Sequence, residues 1–540
     1  MAPFVEESGQ AQTKGFGVFR VFKAAQRQLT FEDAQVLCGD LMDKDSFYAV
    51  LGEHGHKWIS DEDYASFYDP NLGRACIPPS TLVRALLLQN YRSCSDRELV
   101  ERIRFDLRYK VALAVAVDYP GFDPSLLSVF RARLILHKKE RLAFDNTVKD
   151  AKNAGLIGDT QPIDSMPIIG AAALQDTYTL LRTGIEKLLA AIRKQRDEWG
   201  GSRGFKYSFS AKKYKKGSGK PEINWCDDAQ RQLHLNELVE DAVSLIEAVE
   251  DSKMVHAKRV QASLELLVRI LSQDIEQSPD GEAKIKKGGS DRVISTNDPE
   301  ARHGHKTSCK LIKGYKGHFT VSEQEIVTSV SVTPANASDM APVQSMVGEL
   351  AERGIRPKKM PADCAYGGAD FRADMEAEGI EVLAKVPKPP KIGRFPKADF
   401  DIKLGARTVT CPAGQTTYNY REWKDPQGRL AKAFQFSPGQ CSACSLRSRC
   451  IPDTERSRTV QLHFNEHQIQ KAKEKAAEPG FADEMKRRLV VERVQGRLQS
   501  YGLKASRYFG LRKTLAQALF TATANNIWRL IAVSATRGSP

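Results

Sequence analysis

Three acids in this chain stand where a carboxylate could do more than cap a turn. Asp164 is the single acid in the apolar run Pro162-Ile163-Asp164-Ser165-Met166-Pro167-Ile168-Ile169. Asp363 closes Lys358-Lys359-Met360-Pro361-Ala362 just before Cys364-Ala365-Tyr366-Gly367-Gly368, and Glu492 lies among four arginines between Arg487 and Gln499. Carboxylates suit hard cations, and Mg²⁺ takes only one or two of them, leaving waters and a substrate phosphate to complete its shell. Two such ions about 3.5–4 Å apart activate an attacking oxygen and stabilise a leaving one. Three acids suffice for that pair when one aspartate bridges both ions. No Ser-His-Asp or Cys-His signature competes for the role. Each acid also has an ordinary reading. A strand-end aspartate commonly caps a turn. Glu492 faces away from the apolar arc of Val490, Val491, Val494 and Leu498, as a solvated helix residue would. Gly496 on that same face would permit close approach of another backbone.

A second set is sulfur. Cys411, Cys441, Cys444 and Cys450 gather within forty residues on an apparent pair of hairpins. Four thiolates match tetrahedral Zn²⁺, and Cys441/Cys444 has knuckle spacing, but Cys411 has no near neighbour and the Cys444–Cys450 gap is wide. Structural zinc and unliganded buried cysteines both remain open, with His463 and His467 as secondary ligand candidates.

The elements that must position these residues follow from periodicity. Residues 79–156 read as helical, with a capping box at Ser95 and Glu98 opening a helix from Asp96 to Ile103 and another helix over Ser125–Leu134. Pro162–Ile169 reads as a strand; helices follow over Leu174–Arg196 and Gln232–Ile275. Strand signals dominate from Val293 to Val332. A helix ending at Glu352, one over Asp370–Glu378 and a strand over Ile380–Ala384 complete a mixed α/β pattern. Beyond a Pro- and Lys-rich linker at 387–397 come the cysteine segment, a long helix over Glu466–Gln499 and a final helix over Thr514–Ile531.

The 540 residues carry 81 Lys+Arg against 67 Asp+Glu, a formal charge of +14, and 41% hydrophobic content supports real cores. The balance favours polyanionic partners. No run approaches the roughly 18 apolar residues of a membrane span. The N-terminus has neither the basic start nor the apolar stretch of a secretory signal. The expectation is a soluble cytoplasmic protein that binds nucleic acid. Arg131 and Arg133, on the helix from Ser125, suit a DNA-binding bundle, with a packing or dimerisation domain as the alternative. Lys212 and Lys213 lie in a basic loop at 206–220 with Tyr207, Phe209 and Tyr214, suited to phosphates or unstacked bases; a solvated linker is the alternative.

Taken in order, the motifs Leu86-Leu87-Leu88-Gln89, Ser95-Asp96-Arg97-Glu98-Leu99, Phe130-Arg131-Ala132-Arg133-Leu134, Ile163-Asp164-Ser165, Asp298-Pro299-Glu300-Ala301-Arg302, Gly314-Tyr315-Lys316, Ala362-Asp363-Cys364-Ala365-Tyr366 and Val491-Glu492-Arg493, followed by Gly502-Leu503, Gly510-Leu511 and Asn525-Asn526, resemble the DDE transposases of bacterial insertion sequences. The resemblance spans about residues 77–531. It implies an RNase H-like mixed sheet with flanking helices as catalytic core, plus an all-helical N-terminal domain, a helical insertion and a small Cys-rich insertion. The expected domains are 1–158 (DNA binding or dimerisation), 159–400 (first part of the core, insertion at about 174–289), 401–460 (the cysteine insertion) and 461–540 (C-terminal helices carrying the glutamate). Asp164, Asp363 and Glu492 become the catalytic triad holding two Mg²⁺ or Mn²⁺ ions. The implied reaction is hydrolytic cleavage at transposon ends, then attack of a DNA 3′-hydroxyl on target DNA. A nuclease without strand transfer and a domesticated DNA-binding protein are the alternatives.

Double-stranded DNA is the implied partner, bound at the nucleoid by a homodimer or higher oligomer. Arg302, Lys310, Lys313, Tyr315 and Lys316 would line the DNA path, joined by Arg488, Arg493 and Lys504 near the glutamate. The family's tyrosine seven residues before the glutamate is Met485 here, and its lysine seven after is Gln499. Arg488 matches the family's arginine, and Lys504 or Arg497 would stand in for the missing lysine.

Overall fold

The computed structural model describes residues 20–21, 32–69, 74–198, 207–215, 221–278, 281–289, 291–307, 310–387, 394–426 and 428–537. The described residues form 18 α-helices and several small sheets, a mixed α/β protein. Among them no helix is long and apolar enough to cross a membrane. The chain divides into two compact units: residues 1–151 with 498–503 and 516–540, and residues 152–497 with 504–515.

The first unit is helical. α1 (Pro79–Arg92) begins with proline at its first position and turns at Ser93 in the left-handed region. α2 (Asp96–Phe105) opens with the expected capping box, Ser95 and Glu98 satisfying each other's backbone N–H groups. α3 (Ser125–Leu136) buries Leu127, Phe130 and Leu134. The returning segment 498–503 packs tightly here: at Gly502 (φ +89°) a Cβ would stand 2.4 Å from Ser93 Oγ, so only glycine fits.

The second unit is built on a twisted sheet. β1 (Ile163–Ile169) leads to an insertion of three helices, α4 (Thr177–Glu198), α5 (Asp228–Glu250) and α6 (Lys258–Asp274), which share a core of their own. The expected helix over 232–275 is thus two, broken at 251–257. β2 (Arg302–Thr307), β3 (Lys310–Val321) and β4 (Val327–Pro334) follow as an antiparallel set, β3 pairing with β1, β2 and β4. α7 (Val343–Glu352) crosses to β5 (Lys359–Pro361), and α8 (Ala369–Ala377) crosses to the parallel strand β6 (Glu381–Leu383). A parallel bridge from Thr160 to Lys359 joins β5 to the chain entering β1. The strands thus run in the order β4, β3, β1, β5, β6. α7 and α8 cover one face through Val343, Met346, Val347, Phe371 and Met375, against Ile163 and the β5–β6 side chains.

The cysteine segment forms two three-stranded antiparallel sheets, the second made of β7 (Tyr420–Lys424), β8 (Leu430–Gln435) and β9 (Thr459–Leu462). The expected long helix over 466–499 is three: α9 (Glu466–Ala477), α10 (Phe481–Lys486) and α11 (Leu489–Leu498). Pro479 cannot continue the first, and Gly480 turns the chain at φ +96°. The last helix, α12 (Leu511–Arg537), is longer than expected at both ends.

Candidate functional site

Strand pairing brings the two aspartates together. The parallel bridge of Thr160 with Lys359 makes the two segments neighbours, and four residues further along each the carboxylates of Asp164 and Asp363 lie near enough to feel each other's charge. Neighbouring strands lie about 4.8 Å apart, so the carboxylates repel. Burial, chiefly, raises Asp164 to about 6; the charges of Asp363 and Glu492 push the same way, while the Ser165 N–H and Arg488 oppose them. Alternation along β1 turns Ile163 toward α7 and α8 and Asp164 to the opposite face, where it meets Arg488.

Each aspartate commits one oxygen to its own backbone. The Ser165 N–H donates to Asp164 Oδ1 at 2.8 Å, and the Ala365 N–H donates to Asp363 Oδ1 at 2.8 Å, making Asp363 the cap of a short 3₁₀ turn. The loop after Asp363 is held from behind. At Gly367 a Cβ would stand 2.2 Å from the Lys385 carbonyl oxygen. Arg372, buried, donates to the carbonyls of Gly367, Val382 and Ala384. Tyr366 fills the core beneath. These contacts explain the spacing of Asp363-Cys364-Ala365-Tyr366-Gly367-Gly368 as a fixed platform for one carboxylate.

Glu492 is offered by α11, whose Val490, Val491 and Val494 are buried. Its side chain is 45% exposed and its Oε1 lies 2.7 Å from Arg488 Nη2. The other amino group of the same guanidinium, Nη1, lies 3.5 Å from Asp164 Oδ2. Arg488 therefore bridges a strand acid and a helix acid. The three remaining arginines of this segment are tied to the β3–β4 turn: Arg487 to Glu323, and Arg493 and Arg497 both to Glu325. Glu325 itself sits at φ +65°. A Cβ added at Gly496 would meet nothing within 4 Å, so among the described residues no other backbone makes the close approach this glycine would permit.

Several residues expected to meet DNA are instead engaged within the fold. Tyr315 is fully buried, its hydroxyl donating to Asp298 at 2.5 Å, and the Gly510 N–H donates to Asp298 at 3.1 Å. Glu300 accepts from the Leu511 N–H at 2.8 Å. Asp298, Glu300, Tyr315, Gly510 and Leu511 thus form one network at the N-terminus of α12, where negative charge is favoured. Arg302, 6% exposed, pairs with Asp291 at 2.7 Å. Lys316 is held by Asp339 and the Ala337 carbonyl. Arg131 makes a two-pronged pair with Asp96. In the insertion, Lys213 pairs with Glu237 and Asp241, Tyr214 is buried and donates to Asp241, and Tyr207 and Phe209 pack, partly buried, on the same core. Arg133 lies over the Tyr68 ring. Lys212, Lys313 and Lys504 are exposed; the side chain of Lys310 lies outside the described residues. Lys504 is on a segment that pairs with the far end of β1, through Ala505 beside Ile169.

Cys411, Cys441, Cys444 and Cys450 line one recess of about 30 Å³, with Phe436, Ile451 and Arg458 among its walls. Only Cys411 lies at a hairpin; Cys441 and Cys450 are on the short helices Pro438–Ser442 and Arg447–Cys450, with Cys444 between them, so the expected second hairpin is replaced by helical turns. Burial pushes the Cys450 thiol up, with the other three cysteines adding to it. His463 does not line the recess and lies near Asp370, and His467 is also outside it. Among the described residues, no group of three or more His, Cys, Asp or Glu is arranged so that it could hold a metal ion.

The fold and site define a mixed α/β protein that sets three acids beside an arginine-bearing helix. Comparison with known families is consistent with that class. A family described as a transposase DDE domain matches residues 410–531, and one described as a transposase domain matches residues 37–133. Together they support a DDE transposase of an insertion sequence, with DNA as the substrate the family implies and divalent metal ions in general use. The first match contains Glu492 and all four cysteines; Asp164 and Asp363 lie outside both. No curated protein and no solved structure matches the chain.

Proposed function

We propose that this transposase cleaves transposon ends and transfers the resulting 3′-hydroxyl to target DNA at a site formed by Asp164, Asp363 and Glu492. The observation that carries the reading is Arg488 linking Asp164 to Glu492, on a strand whose approach is bridged to the strand before Asp363. The sheet order supports an RNase H-like core: three antiparallel strands continued by two parallel ones, with helices on the crossovers.

The donor chemistry is the kind hard divalent ions take, although among the described residues the three acids are not gathered closely enough to hold an ion as they stand. The set is all carboxylate, each aspartate has a second oxygen beyond its backbone bond, and a cation, the Arg488 guanidinium, already stands between two of the acids. Asp164, Asp363 and Glu492 would hold two Mg²⁺ or Mn²⁺ ions. When bound, such ions stabilise the charge that develops on the attacking and leaving oxygens. The chain's own contribution is placement. β1 and the Asp363 loop hold two acids on a rigid sheet, α11 brings the third, and exposed Lys313 and Lys504 would position phosphates, setting affinity more than sequence choice. Joining two ends implies a dimer or higher oligomer, to be read from the mass of the DNA-bound complex.

In the cysteine segment we infer a structural Zn²⁺ held by Cys411, Cys441, Cys444 and Cys450. Four sulfurs from separate turns share a recess with room for about one water-sized occupant. The test of the main reading is an assay of labelled end DNA with Mg²⁺. Nicking with joined product is expected; nicking without joining would favour a nuclease, and neither would leave only a DNA-binding protein.

A further inference from the structure

Arg488 has an arrangement that a simple phosphate contact does not need. One guanidinium spans two carboxylates from different elements, Asp164 on β1 at 3.5 Å and Glu492 on α11 at 2.7 Å. Its planar fork can serve two acceptors at once, which an ammonium does less well. The other arginines of this segment are paired elsewhere, with Glu323 and Glu325, so the charge of the acids falls to Arg488.

We propose that Arg488 is an internal counter-ion that holds Asp164 and Glu492 in place of metal, and that it yields to metal by moving to a DNA phosphate. This rests on the reading of the three acids as metal ligands. A guanidinium and a divalent ion compete for the same oxygens and repel each other, so loading requires Arg488 to leave. Away from the acids it remains a cation at a surface that DNA approaches. DNA then binds more tightly when metal has released Arg488, and metal binds more tightly when DNA has drawn it away; linkage makes the two effects equal. Arg488 is a positioning residue on this account: it guards the geometry of the acids without DNA and couples loading to substrate.

The test is Mn²⁺ titration of the full chain, followed by the spectroscopic signal of free Mn²⁺, with and without duplex DNA. Without DNA, Arg488→Gln should bind Mn²⁺ about 5- to 20-fold more tightly than the natural protein, the low end of usual coupling factors because Glu492 is partly solvated. Added DNA should tighten Mn²⁺ binding to the natural protein by a similar factor and leave Arg488→Gln nearly unchanged. Arg488→Lys should fall between. Equal or weaker Mn²⁺ binding by both variants without DNA would overturn the proposal. Asp164→Asn separates the two layers: if it leaves Mn²⁺ binding intact, the metal-ligand reading fails, whatever Arg488 does.

Discussion

The carboxylate site draws on acids from distant parts of the chain and the cysteine recess on a segment of forty residues, and the two are finished in opposite ways. The acids include a half-exposed glutamate and share a single arginine between two of them. The cysteines are turned into a small recess walled by Phe436 and Ile451, beside a core of Phe400, Phe434 and Val460. An open, charged site stays strained until something binds. A closed, apolar one is stabilised by its own packing, and any ion in it would be structural. The difference predicts that the first site governs chemistry and the second governs folding.

The largest effect should come from the acids. Asp164→Asn, Asp363→Asn or Glu492→Gln is expected to reduce end cleavage by at least about 10³-fold, comparable to removing a principal electrostatic stabiliser, while duplex binding in a gel-shift assay persists. Near-normal cleavage by any one of the three would remove that residue from the site. Cys441→Ser should do the reverse. Elemental analysis should find about one zinc per natural chain and less in the variant. The segment should also lose stability, because metal binding is coupled to folding, read as protease sensitivity within 401–460. Natural protein without zinc, and a variant of unchanged stability, would make these ordinary half-buried thiols.

A subtler contrast lies in pH. The folded value of Asp164 is raised to about 6 from 3.8, so its ionisation opposes folding. The favourable contribution of the protonated form is full below about 4 and is lost as pH rises through 6. In chelator at pH 7.5, Asp164→Asn should therefore be more stable than the natural protein by up to about 3 kcal/mol. The gap should close by pH 4 in thermal melts. A variant less stable at pH 7.5 would mean that Arg488 already compensates the charge fully.

How much of this is legible in the chain differs between the two regions. The acids stand out by type and context, because a lone acid in an apolar strand is conspicuous. Their meeting depends on a parallel bridge between residues 160 and 359, which no local pattern encodes. Helix positions are readable wherever periodicity is strong, and the capping box at Ser95 opens its helix at the residue expected. The stretch over 466–499 reads as one helix because its charge pattern continues across Pro479-Gly480, while the backbone cannot. The basic residues are the least legible. Arg302, Lys213 and Lys316 look like any DNA-facing cation, and only tertiary structure shows the acids that claim them. Tyr315 reads as a surface aromatic because Asp298, its partner, is seventeen residues away.

The smallest expected effect changes charge near the acids without touching them. Glu325 holds Arg493 and Arg497, so Glu325→Gln should release two cations beside the site. Duplex affinity is expected to rise about two- to threefold at low salt, with the salt slope steeper by about one or two ions. The loss of the exposed Arg493 pair should cost less than about 1 kcal/mol, and the loss of the largely buried Arg497 pair more. Glu325 also occupies φ +65°, where glycine is at ease and a side chain is not. Glu325→Gly removes the same charge and relieves that backbone. If both variants gain DNA affinity equally but the glycine variant melts higher, charge sets the affinity and the turn is strained in order to present it. If neither gains, Arg493 and Arg497 face no DNA, and the basic character of this helix serves only to dock it on the sheet.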